Sequence, residues 1–159
     1  MTTPDEVARS FSGHRFEEAF AHLAEDVRWV LVGQAVLVGR DAVVTACRAT
    51  ADQLVGITTT FSRFVSVAAA DMAVVDVVAA YDGPDGVTGV SSCDIYEFSG
   101  SLVTMITSYT VEVDPDDPGA PPPGDDAPER AASDEPDVPD APADPAAPPA
   151  DPDQPLNPA

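Results

Sequence analysis

The chain changes physical character after Val113, and that change bounds what can fold. Residues 114–159 hold 15 of the 17 prolines and 13 of the 28 acidic residues. They contain one arginine, Arg130, no aromatic residue, and only Val138 and Leu156 as large aliphatics. The segment carries −12 of the chain's −21 formal charge. Ordering a residue costs about 1–2 kcal/mol of conformational entropy, and so little apolar area cannot offset it. Repeated Asp-Pro, Ala-Pro and Pro-Pro steps, with like charges between them, predict a disordered, extended acidic tail. Pro136-Asp137-Val138-Pro139 fits a P-x-x-P spacing, but it lacks the flanking basic residue such ligands carry, so a solvated spacer is expected. Residues 1–113 have the size and composition for one core and one domain.

Charge and composition exclude several functions. All seven basic residues are Arg, against 28 Asp and Glu, so phosphate contacts are scarce and nucleic acid is not an expected partner. No run of about 18 apolar residues exists, so no membrane helix is expected. Met1-Thr2-Thr3-Pro4-Asp5-Glu6 is acidic and does not read as a secretory signal. Cys47 and Cys93 are too few for a disulfide framework or a cysteine zinc site, and they predict two reduced, buried thiols in a cytoplasmic protein. No His-acid or Cys-His spacing points to a metal or a nucleophile. Gly83, Gly86 and Gly89 do not stand between a strand and a helix, so they make no phosphate loop. No cofactor is expected.

Periodicity orders the first 113 residues. Thr3 caps a helix, Pro4 suits its first position, Glu6 completes a capping box and Gly13 ends it, with Val7, Ala8 and Phe11 on one face. A second helix is predicted from His14 to Ala24, with Phe16, Ala19, Phe20 and Leu23 as its stripe. Val27–Val32 and Val36–Val38 read as a short strand pair. A third helix follows Gly39-Arg40-Asp41, its apolar face Val43, Cys47, Thr50 and Leu54, and stops at Gly56. Ile57–Val67, Met72–Tyr81, Val87–Phe98 and Leu102–Val113 read as strands joined by tight turns, hence an antiparallel meander. The fold class is α+β: a cone-shaped, curved antiparallel sheet covered by three N-terminal helices.

Certain segments carry a resemblance. They are Ser12-Gly13-His14-Arg15-Phe16-Glu17-Glu18, Leu23-Ala24-Glu25-Asp26-Val27-Arg28-Trp29, Gly39-Arg40-Asp41-Ala42-Val43, Cys93-Asp94-Ile95-Tyr96-Glu97-Phe98 and Thr107-Ser108-Tyr109. In this order over residues 4–113 the chain resembles the nuclear transport factor 2-like superfamily, and within it the SnoaL-like proteins. That cone hosts isomerases, cyclases, hydrolases, dehydratases and binding domains, so the resemblance speaks to fold rather than reaction. Ketosteroid isomerases of the superfamily use a carboxylate base, a Tyr donor and a protonated Asp donor. The resemblance places Asp94 at the donor Asp, but Leu31 near the base and Glu6 near the Tyr, which argues against that isomerisation. Epoxide-hydrolase-like members use two Asp and an Arg. Asp76 and Asp94 would be the carboxylates, yet Val74 and Ser92 stand where the Arg belongs.

Alternation puts Ser92, Asp94, Tyr96 and Phe98 on one strand face. Asp94 is then either a carboxyl raised in pKa by an apolar cavity, able to donate a hydrogen bond, or a hydrated carboxylate at the cavity mouth. It is the one candidate catalytic residue. Trp29, Asp76, Asp94 and Tyr96 are the candidate ligand-binding residues, the aromatics being equally readable as core. His14 and His22 read as surface residues. The expected function is a non-catalytic small-molecule binding or accessory domain with an apolar pocket. The alternatives are a small cyclase, isomerase or dehydratase on an apolar substrate, and a dimeric interaction module. A small apolar molecule and a second copy, paired through the outer sheet face, are the expected partners.

Overall fold

The computed structural model describes residues 1–119. The expected acidic tail, including Pro136-Asp137-Val138-Pro139, lies almost wholly outside the described residues. Ten elements follow one another: α1 (Pro4–Ser12), α2 (Phe16–Ala19), a 3-10 turn (Phe20–His22), β1 (Leu23–Leu31), β2 (Ala35–Val38), α3 (Arg40–Gln53), β3 (Thr58–Ala68), β4 (Met72–Gly83), β5 (Gly86–Ser99) and β6 (Leu102–Val113).

Local chemistry sets the first helix. The Thr3 amide donates to Glu6 Oε2 at 2.7 Å while the Glu6 amide donates to Thr3 Oγ1 at 3.3 Å, which closes the expected capping box. The Gly13 amide donates to the Arg9 carbonyl and ends the helix. Val7, Ala8 and Phe11 are buried beneath it.

The second helix is far shorter than periodicity predicted. Only Phe16–Ala19 is α-helical, and Leu23 and Ala24 already belong to β1. The stripe residues Phe16, Ala19 and Leu23 are buried, but Leu23 is buried as a strand residue. It pairs with Val103, and its carbonyl accepts from Arg40 Nε at 2.9 Å. Strand pairing and a half-buried guanidinium contact outweigh a weak local helical preference.

The sheet runs β2-β1-β6-β5-β4-β3 and is open at both ends. The meander β3 to β6 is antiparallel, as its short turns require. The sheet as a whole is mixed, because β1 joins β6 in parallel. Two strands from opposite ends of the domain have no tight turn between them, so nothing local imposes an antiparallel join. The architecture is α+β, with α1 across β3, β4 and β5 and α3 across β1 and β2. Period-two burial turns Ala73, Val75, Val77 and Ala79 inward from β4, and Tyr96 and Phe98 inward from β5. Cys47 is buried under α3, whereas Cys93 is only half-buried, on the outward-facing phase of β5. Among the described residues no helix is long and apolar enough to cross a membrane.

Folded contacts continue slightly past Val113. A Cβ at Gly89 would lie 2.5 Å from the Val113 carbonyl oxygen and 2.8 Å from the Pro115 nitrogen, so glycine lets β5 and the end of β6 close up.

Candidate functional site

Between α1, the turn that follows it and the inner sheet face lies a cavity of about 160 Å3. Its apolar wall comes from Phe11, Phe16, Trp29, Leu31, Val77 and Val90. Its polar groups are Ser12, His14, Tyr81, Ser92, Asp94, Ser108 and Thr110. An engineered protein cavity of about 150 Å3 holds benzene, whereas drug-sized ligands occupy about 300–1,000 Å3. The space therefore suits a single small ring or a branched alkyl group.

Asp94 is held from behind. Ser12 Oγ donates to its Oδ2 at 2.7 Å, and Ser108 Oγ donates to its Oδ1 at 2.6 Å. Each serine has another partner. Trp29 Nε1 donates to Ser108 Oγ at 2.9 Å, and an indole N–H can only donate, so the Ser108 proton is left for Asp94. Tyr96 Oη lies 2.7 Å from Ser12 Oγ. Because the one Ser12 proton goes to Asp94, the Tyr96 hydroxyl must be the donor in that pair. Two relays, Tyr96 to Ser12 and Trp29 to Ser108, thus converge on one carboxyl. No buried side-chain polar atom among the described residues lacks a partner.

His14 completes the polar side. It is the only non-glycine residue among those described with positive φ, at 61°, directly after the glycine that ends α1. A left-handed backbone is costly for most residues and is tolerated where surroundings enforce it. Here the ring is held among Phe16, Phe61 and Tyr81, with centroids 5.6, 6.2 and 5.8 Å away. Its Nε2 lies 3.4 Å from the Tyr81 hydroxyl.

Burial pushes the Asp94 carboxyl above the ordinary carboxylate range, while the Ser108 and Ser12 hydroxyls and the nearby His14 pull it back. Burial pushes His14 below its ordinary value, and the Asp94 charge opposes this. The two groups are displaced toward each other, the condition under which a proton passes between two groups or is shared with a third. Burial first, and then the Asp94 charge, push the Tyr81 phenol up, so it stays a neutral donor. Among the described residues no group of three His, Cys, Asp or Glu side chains could hold a metal ion. The cavity is also too small for a nucleotide or flavin.

Of the four expected site residues, Trp29 and Asp94 share this cavity. Tyr96 is fully buried behind it and reaches it only through Ser12. Asp76 departs from the expectation. It alternates with buried Val75 and Val77, points to the outer face and pairs with Arg63. The period that turns Val75 and Val77 inward necessarily turns Asp76 outward. His14, read as a surface residue, instead faces the cavity, because the turn after Gly13 folds back over the sheet. Ser12 and Ser108 stand in segments that carry the resemblance, but nothing in the sequence marks either as a site residue. Ser12 offered only one hint, a small polar residue beside the core residue Phe11. A larger surface cleft of about 500 Å3 involves Glu6, Arg9, Arg15 and Glu18. There the charges satisfy each other, with Arg15 Nε 3.1 Å from Glu18 Oε2, and the buried Ser10 hydroxyl is already taken up by Glu18 at 2.8 Å.

No protein-family model matches this chain, and no curated protein matches it. Solved structures do. A nuclear transport factor 2-like protein of unknown function from Cytophaga hutchinsonii is 25% identical, with TM-score 0.58 over 66% of this chain and 93% of its own. A nuclear transport factor 2-like protein from Burkholderia xenovorans is 16% identical, with TM-score 0.53 over 70% of this chain and 92% of its own. A proposed polyketide cyclase from Silicibacter sp. TM1040 is also 16% identical, with TM-score 0.55 over 66% of this chain and 85% of its own. The helices, the open six-stranded sheet and these likenesses agree with the resemblance read from residues 4–113, and the described residues adopt the nuclear transport factor 2-like fold.

Proposed function

We propose that this domain binds a small, mostly apolar molecule in the cavity beside Asp94, which anchors the molecule's one polar group. The observation that carries this reading is the fixed Asp94 carboxyl in a largely apolar wall, oriented by Ser12 and Ser108. A concave site that joins an apolar wall to convergent polar groups is what a small ligand requires. NMR tests it. Single-ring molecules bearing one polar group should move the amide signals of Ser12, Trp29, Asp94 and Ser108. Val90→Phe, which fills the cavity, should abolish those shifts while leaving the fold intact. Shifts confined to other surfaces, or unaffected by Val90→Phe, would defeat the reading.

A second reading is favoured by His14. An acid and a base displaced toward each other beside one cavity are the elements of proton transfer, so a small isomerase, cyclase or dehydratase is the runner-up. Leu31, which lines the cavity at the position where the resemblance implies a base, argues against steroid-like enone isomerisation. Deuterium exchange into a bound ring ketone separates the two. Exchange accelerated by the protein and lost in both His14→Gln and Asp94→Asn would establish catalysis. Binding without exchange leaves the first reading in place.

A further inference from the structure

The polar group that Asp94 waits for can be named by charge. Both of its oxygens already accept hydroxyl protons, and the direction of those protons is set from outside, by an indole that can only donate and by a buried tyrosine hydroxyl with no other partner among the described residues. Donors aimed at both oxygens favour the carboxylate, against the burial that raises its pKa. Asp94 is half-buried, and a carboxylate drawn that far out of water is stabilised by a cation beside it. Here no arginine lines the cavity among the described residues, and the chain has no lysine. The four arginine ion pairs of the described residues all engage other carboxylates: Glu18, Glu25, Glu17 and Asp76. Among the described residues His14 is the sole titratable base lining the cavity.

The remaining walls fit a cation. Phe11, Phe16, Trp29 and Tyr81 all border a space of about 160 Å3, so anything inside it lies near an aromatic ring. Aromatic rings attract cations within about 6 Å of their centroids. The chain's charge of −21 would also raise the local concentration of cations. We propose that the ligand is a small organic cation, a protonated amine carrying roughly six heavy atoms, whose charge pairs with Asp94 and whose hydrocarbon lies against these rings. This rests on the binding reading above and specifies the polar group it left open.

The test compares two molecules of nearly equal shape on the full chain. Piperidine is protonated at pH 7. Tetrahydropyran is its neutral counterpart and can only accept a hydrogen bond. Trp29 is the only tryptophan and lines the cavity, so its fluorescence reports occupancy. Piperidinium should bind about tenfold or more tightly than tetrahydropyran at low salt, the range expected when a desolvated charge pair adds to a cation–π contact. Asp94→Asn should bring the two close to parity. Tighter or equal binding of tetrahydropyran would overturn the inference, leaving the cavity reading with Asp94 as a donor. A piperidinium preference that survives Asp94→Asn would also overturn it. Absence of any response to either molecule would overturn the inference and the cavity reading together. The comparison on the unmodified chain decides the matter even if Asp94→Asn does not fold.

Discussion

Removing the Ser12 hydroxyl should cost more stability than removing the larger tyrosine hydroxyl it touches. Tyr96 is fully buried, and among the described residues the only hydrogen-bond partner of its hydroxyl is Ser12 Oγ at 2.7 Å. In Ser12→Ala that hydroxyl is orphaned, at about 1–3 kcal/mol, and Asp94 loses one of its two donors. Asp94 borders the cavity, so water can replace part of that loss, and the total comes to about 2–4 kcal/mol. In Tyr96→Phe the ring keeps its edge contact with Phe11, 5.8 Å between centroids, and Ser12 still donates to Asp94. Only one hydrogen bond disappears and no donor is orphaned, at about 1 kcal/mol. The double variant should therefore be less damaged than the two singles summed, with a coupling of about 1–2 kcal/mol. For a domain of this size each kcal/mol moves the melting temperature by about 4 °C. Urea unfolding of the four proteins, followed by far-UV circular dichroism, measures the cycle. If Ser12→Ala proves no worse than Tyr96→Phe, or the two effects simply add, the Tyr96 to Ser12 to Asp94 relay does not exist as described.

Four further outcomes follow from the structure. Asp94 has a raised pKa in the folded state, so its stabilising contribution is complete below the unfolded value near 3.9 and is lost as pH rises through the folded one. Melting temperature against pH should show that loss in the parent and not in Asp94→Asn; a step of equal size in both would assign it elsewhere. His14, with a lowered pKa, acts in the opposite sense, its contribution present above about 6.5 and lost as pH falls through the folded value. Burial pushes the Cys47 thiol up to about 12, whereas Cys93 is half-buried with a smaller rise, from burial first and then from Asp76 and Asp94. An exposed-thiol reagent at pH 8 should modify Cys93 first and Cys47 only on unfolding, and equal rates would contradict the packing under α3. The outer sheet face, with Val65, Val67, Tyr109 and Val111 all exposed, should pair with a second copy, giving a dimer mass by light scattering; a monomer at micromolar concentration would refute this.

Much of the domain was legible because its signals are local. The capping box at Thr3 and Glu6, the antiparallel hairpins from β3 to β6, and the inward phase of Ser92, Asp94, Tyr96 and Phe98 each depend on residues within a few positions of one another. The same alternation, applied to β4, already turns Asp76 away from the cavity. The site itself was not legible, because it is assembled across the chain. Ser12 and Asp94 lie 82 residues apart, Trp29 and Ser108 lie 79 apart, and nothing in the spacing of lone serines marks them as partners. Only the packing of α1 on the sheet brings those hydroxyls to one carboxyl. Only the left-handed turn at His14 swings an imidazole inward that helical periodicity would place on the surface. Leu23 follows the same rule, since pairing with Val103 and its contact with Arg40 make it a strand residue against its helical surroundings. Local preferences amount to tenths of a kcal/mol per residue, and burial and pairing, which depend on what lies across space, are larger.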